Sequence, residues 1–165
     1  MTKLNYLAYG SNLWPARLTA RIGPITARGA VRLPDRLLAF SKRGADGSGK
    51  CTLEAVPGAC AWGVVYTMPA SARAVLDRIE GVGHGYDVTW FELPDHGRCF
   101  VYLADPAWCD PALAPFDWYH ALVVAGARAH GLPPAYVSRI GTTAACRDAD
   151  RVRAARHYAL LALPA

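Results

Sequence analysis

The chain has 165 residues, which suits one domain of ordinary size. Hydrophobic residues make up 53% of it and charged residues 19%, so it is able to bury a core, and intrinsic disorder is excluded as its main state. The net charge of +5 comes from 18 basic and 13 acidic residues. The basic residues are scattered, which favours a solvated surface over a nucleic-acid-binding patch.

Several other classes are excluded by motif counts. No apolar run approaches the roughly 18–20 residues that cross a bilayer, and the N-terminal segment is too short and polar for a signal peptide. The five cysteines form no CxxC pair and the five histidines no HxxxH pair. We therefore expect reduced thiols in the cytoplasm, no metal site, no cofactor and no membrane contact.

Strand patterns dominate the first half of the chain. Residues 4–9 form a short predicted strand that ends at Gly10, and a helix follows from Pro15 to about Ile22. Gly44 to Gly49 is expected to be a loop. Further strands are predicted over residues 27–41, 51–56 and 62–66, with a turn at Pro57-Gly58.

Helices become more frequent in the second half. One should begin at residues 69–71 and end at Gly81, and it should bury Ala72, Val75, Leu76 and Ile79 on one face. Two strands, 86–93 and 98–104, come next. The longest helix should begin near residues 115–117, followed by helices over 134–140 and 148–161. This order predicts an α+β fold with a mixed or largely antiparallel sheet.

Two motifs are set aside. Residues 44–50 fit GxxxxGK, but Cys51 stands where a phosphate-binding loop needs Ser or Thr, and no helix follows. We therefore interpret this stretch as a hairpin loop. Residues 97–102 loosely resemble an RNA-binding strand, but the diagnostic glycine and aromatic positions are out of order.

A more informative motif is the turn Gly10-Ser11-Asn12, directly after a strand. Successive backbone N–H groups in such a turn can point into one concavity and bind a carboxylate or a developing oxyanion. An ordinary turn capped by Ser11 or Asn12 explains the same residues, and the motif alone does not decide between the two.

Candidate acid–base and binding groups lie further along the chain. Glu80 ends a predicted helix, where the helix dipole disfavours a carboxylate, and partial burial would add to that effect. Such an environment suits a general acid–base. Tyr119 lies on the apolar face of the longest helix, so packing in the core is the alternative to a binding role. His84 and Tyr86 are further candidates, His84 through pairing with Glu80.

Taken together, these segments resemble the gamma-glutamylcyclotransferase family. The matching segments follow the family's order over about residues 4–140: YLAYGSNL at 6–13, WGVVY at 62–66, LDRIEGV at 76–82 with Gly85-Tyr86, then 119–126, HGLP at 130–133 and Tyr136. The resemblance implies a compact, mixed, mostly antiparallel β-barrel with flanking helices. We expect a single domain over residues 1–165, in which residues 141–165 lie beyond the resemblance and form a C-terminal helical tail.

The resemblance also implies an activity and its residues. The activity is acyl transfer within a small gamma-glutamyl substrate, which releases 5-oxoproline and links the chain to glutathione metabolism. By position, Glu80 matches the catalytic acid–base and Tyr119 a substrate-binding tyrosine. The substrate loop corresponds to Tyr6, Leu7, Ala8, Tyr9, Gly10, Ser11 and Asn12.

Other functions remain open at this point. The same chemistry could act on gamma-glutamyl amines, on glutathione or on a gamma-glutamyl-protected intermediate. The segment Asn12-Leu13 after Tyr-Gly-Ser argues against the glutathione-specific members. A non-catalytic basic barrel that binds a ligand or nucleic acid is the alternative from another class. The sequence is compatible with a monomer or a homodimer, and we expect no nucleic-acid partner.

Overall fold

The computed structural model describes residues 2–165, and its centre is a five-stranded sheet. The strands are β1 (Lys3–Ala8), β2 (Thr26–Arg43), β3 (Gly49–Pro69), β4 (Tyr86–Leu93) and β5 (Gly97–Ala104). Their order is β2-β3-β1-β5-β4, and the β1–β5 pair is parallel while the other pairs are antiparallel. Because β1 is the middle strand, the loop after it leaves from the centre of the sheet.

The mixed, mostly antiparallel sheet confirms the predicted α+β class, but the word barrel applies only loosely. Within residues 2–165, the edge strands β2 and β4 do not pair with each other, so the sheet stays open. The parallel pairing of β1 with β5 is also short, since it joins only Asn5 to Cys99 and Tyr6 to Phe100. The aromatic rings of Tyr6 and Phe100 stack there, with centroids 5.1 Å apart.

β2 and β3 form one long hairpin, and the turn predicted at Pro57-Gly58 is only partly right, because residues 56–59 pair with no β2 residue but the strand does not end there. β3 continues through both residues, while its register with β2 shifts between Pro34 and Arg36. Gly58 donates its N–H to Asp35 Oδ1 at 2.8 Å, and both residues have positive φ angles. The local turn signals therefore mark an irregularity within the hairpin, of the kind that bulges produce.

The predicted helices are confirmed. They are α1 (Pro15–Ile22), α2 (Arg73–Glu80), α3 (Asp117–Ala129), α4 (Pro134–Gly141) and α5 (Arg151–Ala159). The expected buried face of α2 is only partly correct. Leu76 is fully buried, but Ile79 is 43% exposed because it borders a cleft instead of another element.

Helix α3 packs directly on the turn that follows β1, a 3-10 turn over Ser11–Leu13. A Cβ atom on Gly126 would lie 2.5 Å from Leu13 Cβ and 2.6 Å from the backbone nitrogen of Trp14. Only a glycine permits this approach. The turn is therefore held between the sheet and α3, beside the fully buried Leu122.

The C-terminal segment packs back against α1 and α3. The indole N–H of Trp14 donates to the carbonyl of Leu160 at 2.7 Å, and Arg17 lies 3.1 Å from His157 Nδ1. The His157 ring stacks on Trp118 with centroids 3.8 Å apart. Burial and then the charge of Arg17 lower the pKa of His157 to about 4. The imidazole is therefore neutral at neutral pH and accepts from Arg17.

The packing of Gly126 predicts a large effect for a small substitution. Gly126→Ala should lower the free energy of unfolding by about 1–3 kcal/mol, because the added methyl has to displace backbone atoms. Urea denaturation followed by circular dichroism measures the change. Gly141→Ala is the control, since its Cβ would meet nothing within 4 Å. Equal effects of the two variants would contradict the prediction.

His157 should make the fold sensitive to acid. The pKa of an unfolded histidine is about 6.5 and that of folded His157 is about 4, so between these values the unfolded chain binds the extra proton. Stability therefore falls as the pH drops from about 6.5 towards about 4. His157→Phe keeps a ring on Trp118 but removes the titration, so its unfolding free energy should change less between pH 7 and pH 5. The same pH dependence in both proteins would refute this assignment.

Candidate active site

A narrow pocket opens where β1 ends, between the sheet and the helices α2 and α3. Ten residues line it, and Glu80 is the one carboxylate among them. The lining residues are Tyr6, Tyr9, Gly10, Ser11, Asn12, Cys51, Glu80, Tyr86, Tyr102 and Tyr119. The fold thus gathers in one place eight residues that the sequence singled out from three separate segments.

Glu80 is the last residue of α2, and its position follows from the local sequence. Gly81 ends the helix in the left-handed conformation with φ of 74°, and its N–H donates to the carbonyl of Asp77 at 3.0 Å. Such a glycine C-cap turns the chain sharply. The side chain of Glu80 is 16% exposed, so it is largely enclosed yet open to the pocket.

Two side chains donate hydrogen bonds to the Glu80 carboxylate, both to the oxygen Oε1. Asn12 Nδ2 donates to Oε1 at 2.8 Å, and Arg21 donates to it at 2.7 Å. Arg21 also donates to Asn12 Oδ1 at 2.9 Å, which closes a three-membered network. Within residues 2–165, Oε2 accepts no hydrogen bond from the protein. One oxygen is thus anchored and the other is available to a ligand.

Arg21 is a residue that the sequence analysis missed. It lies in the last turn of α1, where a basic residue is usual because it suits the helix dipole. No local pattern therefore distinguishes it from a surface arginine. Its ion pair with Glu80 arises only when α1 packs beside α2. The one available signal was the spacing of nine residues between Asn12 and Arg21, because a loop followed by two helical turns can bring these two side chains together.

The turn after β1 presents unused backbone donors. Leu13 and Trp14 donate their N–H groups back to Gly10 and Ser11, at 2.9 and 3.3 Å. In the part of the chain that the structure describes, the N–H groups of Gly10, Ser11 and Asn12 make no such bond. All three residues line the pocket. Unpaired N–H groups beside a cavity suit an anionic or carbonyl oxygen of a ligand.

The tyrosines of the pocket divide by what their hydroxyl groups do. Tyr9 donates to the carbonyl of Tyr102, and Tyr86 donates to the carbonyl of Cys51 at 2.5 Å. The Tyr6 hydroxyl instead accepts from Asn12 at 3.0 Å, so its own proton is free. Burial raises the pKa values of Tyr6, Tyr9 and Tyr86 well above the usual range, so these groups stay protonated.

Tyr119 resembles Tyr6 in this respect. Its hydroxyl accepts from the backbone N–H of Cys51 at 3.0 Å, so it also keeps a proton to donate. Burial raises the pKa of Tyr119 well above its ordinary value and that of the Cys51 thiol to about 12. A thiol with that pKa is not a nucleophile at neutral pH. The pocket thus offers donors and one carboxylate but no activated nucleophilic side chain.

Some predicted residues lie outside the pocket. Leu7 and Ala8 are fully buried in the core beneath it and do not line it. His84 is exposed and makes no hydrogen bond to Glu80 within residues 2–165. Conversely, Cys51 and Tyr102 line the pocket although the sequence did not single them out. They lie on β3 and β5, where aromatic and small apolar residues are ordinary strand residues.

A second cleft adjoins the pocket. It shares Glu80 and Tyr86 with the pocket and continues past Lys42, Lys50 and Trp108. Lys50, which belongs to the GxxxxGK stretch, donates to Asp46 and to the Ser48 hydroxyl, both at 2.7 Å. That stretch forms the expected hairpin turn.

Two kinds of site are not found in the described part of the chain. Over residues 2–165, no three His, Cys, Asp or Glu side chains are grouped to hold a metal ion. The helices of the same residues are all too short or too polar to cross a membrane.

The fold and the pocket can now be compared with known proteins. The model of the AIG2-like family matches residues 61–140. A curated relative, the gamma-glutamylcyclotransferase of Bos taurus, is 29% identical over 145 residues, which are 83% of this chain and 77% of that protein.

Solved structures agree with these matches. One described as gamma-glutamyl cyclotransferase superposes with a TM-score of 0.86 at 26% identity, over 98% of this chain and 99% of that one. A Homo sapiens protein described as uncharacterized protein loc79017 gives 0.83 at 26% identity, over 99% and 100% of the two chains. YkqA from Bacillus subtilis shares the fold at 20% identity, with a TM-score of 0.73 over 88% of this chain and 57% of its own. In sequence and in fold, the chain is thus similar to gamma-glutamylcyclotransferases over most of its length.

Proposed function

We propose that this chain is a gamma-glutamylcyclotransferase that releases 5-oxoproline from small gamma-glutamyl compounds. The observation that carries the proposal is the Glu80 carboxylate, anchored through Oε1 and facing a pocket of unpaired backbone N–H groups. The bovine relative and a neighbouring solved structure bear the same name. The proposal also assigns roles to individual residues.

The substrate supplies its own nucleophile, so the protein has to supply a group that moves protons. The substrate's own α-amine attacks its γ-carbonyl and closes a five-membered ring, after which the bond to the leaving amine breaks. A free α-amine has a pKa of about 8 and is mostly protonated at neutral pH. In the proposed mechanism, Glu80 takes that proton through Oε2 and later delivers one to the leaving nitrogen. Asn12 and Arg21 act as positioning residues, because they fix Oε1.

The turn after β1 supplies the second part of the mechanism. As the γ-carbonyl carbon becomes tetrahedral, its oxygen gains negative charge, which the N–H groups of Gly10, Ser11 and Asn12 are placed to stabilise. The free protons of Tyr6 and Tyr119 provide further donors for the glutamyl half. Holding the flexible glutamyl chain in its cyclising shape adds the advantage of an intramolecular reaction.

The proposal also covers location and assembly. We propose a cytoplasmic enzyme that acts as a monomer or a homodimer on a small molecule, without a nucleic-acid partner. The free thiols of the five cysteines support a reducing compartment. A role in glutathione metabolism follows if the released products enter that pathway.

The central test is Glu80→Gln. The amide keeps an oxygen that can accept from Asn12 and Arg21, so the fold should persist, but the side chain can no longer take a proton. The rate of 5-oxoproline release from gamma-glutamyl-alanine should fall about 100- to 10,000-fold, the usual contribution of a general acid–base. Liquid chromatography of 5-oxoproline measures it.

The control for this test is Glu92→Gln, an exposed carboxylate on β4. Its activity should match that of the unmodified protein. Near-normal turnover by a folded Glu80→Gln protein would remove Glu80 from the mechanism. Absence of product with the unmodified protein, folded by circular dichroism, would favour the binding-module alternative.

A second test concerns Tyr119→Phe. The ring keeps its packing against Phe40 and Trp118, but the pocket loses one donor. We expect KM for gamma-glutamyl-alanine to rise about 3- to 10-fold, the value of one neutral hydrogen bond, with a smaller change in kcat. Steady-state kinetics measure both constants.

Tyr136→Phe is the matched control, because its hydroxyl bonds the carbonyl of Trp62 and does not line the pocket. Its KM should stay unchanged. An unchanged KM and kcat in Tyr119→Phe would assign that residue to the core alone.

A further inference from the structure

Lys42 is a buried cation in the cleft beside the pocket. It lies near the C-terminal end of β2, and only 6% of its surface is exposed. Its Nζ atom lies 4.6 Å from the centroid of the Tyr86 ring and 5.7 Å from that of Trp108. Rings at these distances attract a cation through their π faces, but they do not neutralise its charge.

The charge of Lys42 has no counter-ion in the protein. Across residues 2–165, its ammonium group makes no hydrogen bond and no ion pair. Its neighbours in the cleft differ, because Lys50 pairs with Asp46 at 2.7 Å and Arg43 with Asp110 at 3.1 Å. Nζ itself is not fully buried, so solvent in the cleft still hydrates it in part, but a cation that loses hydration without gaining an ion pair is costly. Burial accordingly lowers the pKa of Lys42, and the charge of Glu80 is the first effect that opposes this shift.

The backbone at Gly85 leaves room for the Lys42 side chain. A Cβ atom on Gly85 would lie 2.8 Å from Lys42 Cε, 3.1 Å from its Nζ and 3.0 Å from Trp108. Gly85 also has a φ of 109°, which few other residues adopt. The ammonium group is therefore held by close packing between the loop before β4 and the Trp108 ring.

If the glutamyl half occupies the pocket as in the proposed mechanism, the leaving group lies on this side of Glu80. The glutamyl half fills the pocket beside the unpaired N–H groups, while Glu80 has to reach both the α-amine and the leaving nitrogen. The cleft that contains Lys42 begins at Glu80 and Tyr86. Whatever is bonded to the leaving nitrogen therefore extends into this cleft, towards an ammonium group that lacks an anion.

We propose that Lys42 binds the carboxylate of the leaving group, so that the enzyme selects gamma-glutamyl amino acids or peptides over gamma-glutamyl amines. This assignment rests on the proposed function and adds a specificity-determining residue to it. A carboxylate in the cleft supplies the counter-ion that Lys42 lacks. A leaving amine without a carboxylate leaves the buried cation unpaired, and a cationic leaving group is repelled by it.

The test combines two substrates with one variant. Gamma-glutamyl-alanine and gamma-glutamyl-alaninamide share the glutamyl half, including its α-carboxylate, and differ only in the carboxylate of the leaving group. The unmodified protein should show a kcat/KM about 10- to 100-fold higher for the alanine compound, as expected for a charged hydrogen bond. Lys42→Met keeps the length and apolar packing of the side chain. It should lose that factor on the alanine compound and change little on the amide.

Lys50→Met is the matched control, since its ammonium lies in the same cleft but is already paired with Asp46. Its preference between the two substrates should equal that of the unmodified protein. Circular dichroism and thermal melting verify that each variant folds. A Lys42→Met protein that fails to fold leaves the substrate comparison with the unmodified protein as the deciding measurement.

Each result separates the proposals. Equal kcat/KM values of the unmodified protein for the two substrates, or a preference for the amide, would overturn the role of Lys42 and leave the cyclotransferase activity standing. An equal loss on both substrates in folded Lys42→Met would overturn it too, because Lys42 would then act on the glutamyl half. Release of 5-oxoproline from neither substrate would overturn the proposed function, and the role of Lys42 with it.

Discussion

One carboxylate oxygen, Glu80 Oε1, joins parts of the chain that are distant in sequence. It accepts from Asn12 in the turn after β1 and from Arg21 in α1, and Arg21 also bonds Asn12. An enclosed charge of this kind persists only when it is paired and hydrogen-bonded. The turn, α1 and α2 therefore have to adopt one relative position. The approach of Gly126 to Leu13 fixes the same turn from the opposite side.

The tyrosines that line the pocket fall into two groups according to whether their hydroxyl groups donate or accept a hydrogen bond within the protein. Tyr9 and Tyr86 donate to backbone carbonyls of neighbouring strands, so their hydroxyl protons are used within the protein and are not available to a ligand. Tyr6 and Tyr119 accept from protein N–H groups and keep a proton for a ligand. A phenol supplies both an apolar ring for the core and a polar tip for the pocket, which no aliphatic residue does.

Much of this site was predictable because its main parts are local. Glu80 before Gly81 and the Gly10-Ser11-Asn12 turn after a strand each have a signal within a few residues, and the strands and helices around them follow from periodicity. Arg21 was missed because its role exists only across two packed helices. Ile79 was assigned to a buried face because periodicity does not reveal that a cleft replaces the neighbour. Pro57-Gly58 has the composition of a turn and does interrupt the pairing with β2, but the strand resumes beyond it, which a local signal does not reveal.

Two cations, Arg21 and Lys42, lie near Glu80, but only Arg21 bonds its carboxylate. Arg21 bonds Oε1 and so stabilises the carboxylate in one orientation. If Lys42 bonded Oε2, both oxygens would be occupied and neither could accept a proton from a substrate amine. In the described residues Lys42 makes no ion pair with Glu80, and its ammonium packs against the rings of Tyr86 and Trp108 and against Gly85. With Lys42 not bonded to Glu80, Oε2 stays free to accept a proton from the substrate, and the Lys42 ammonium stays free to bind an anion.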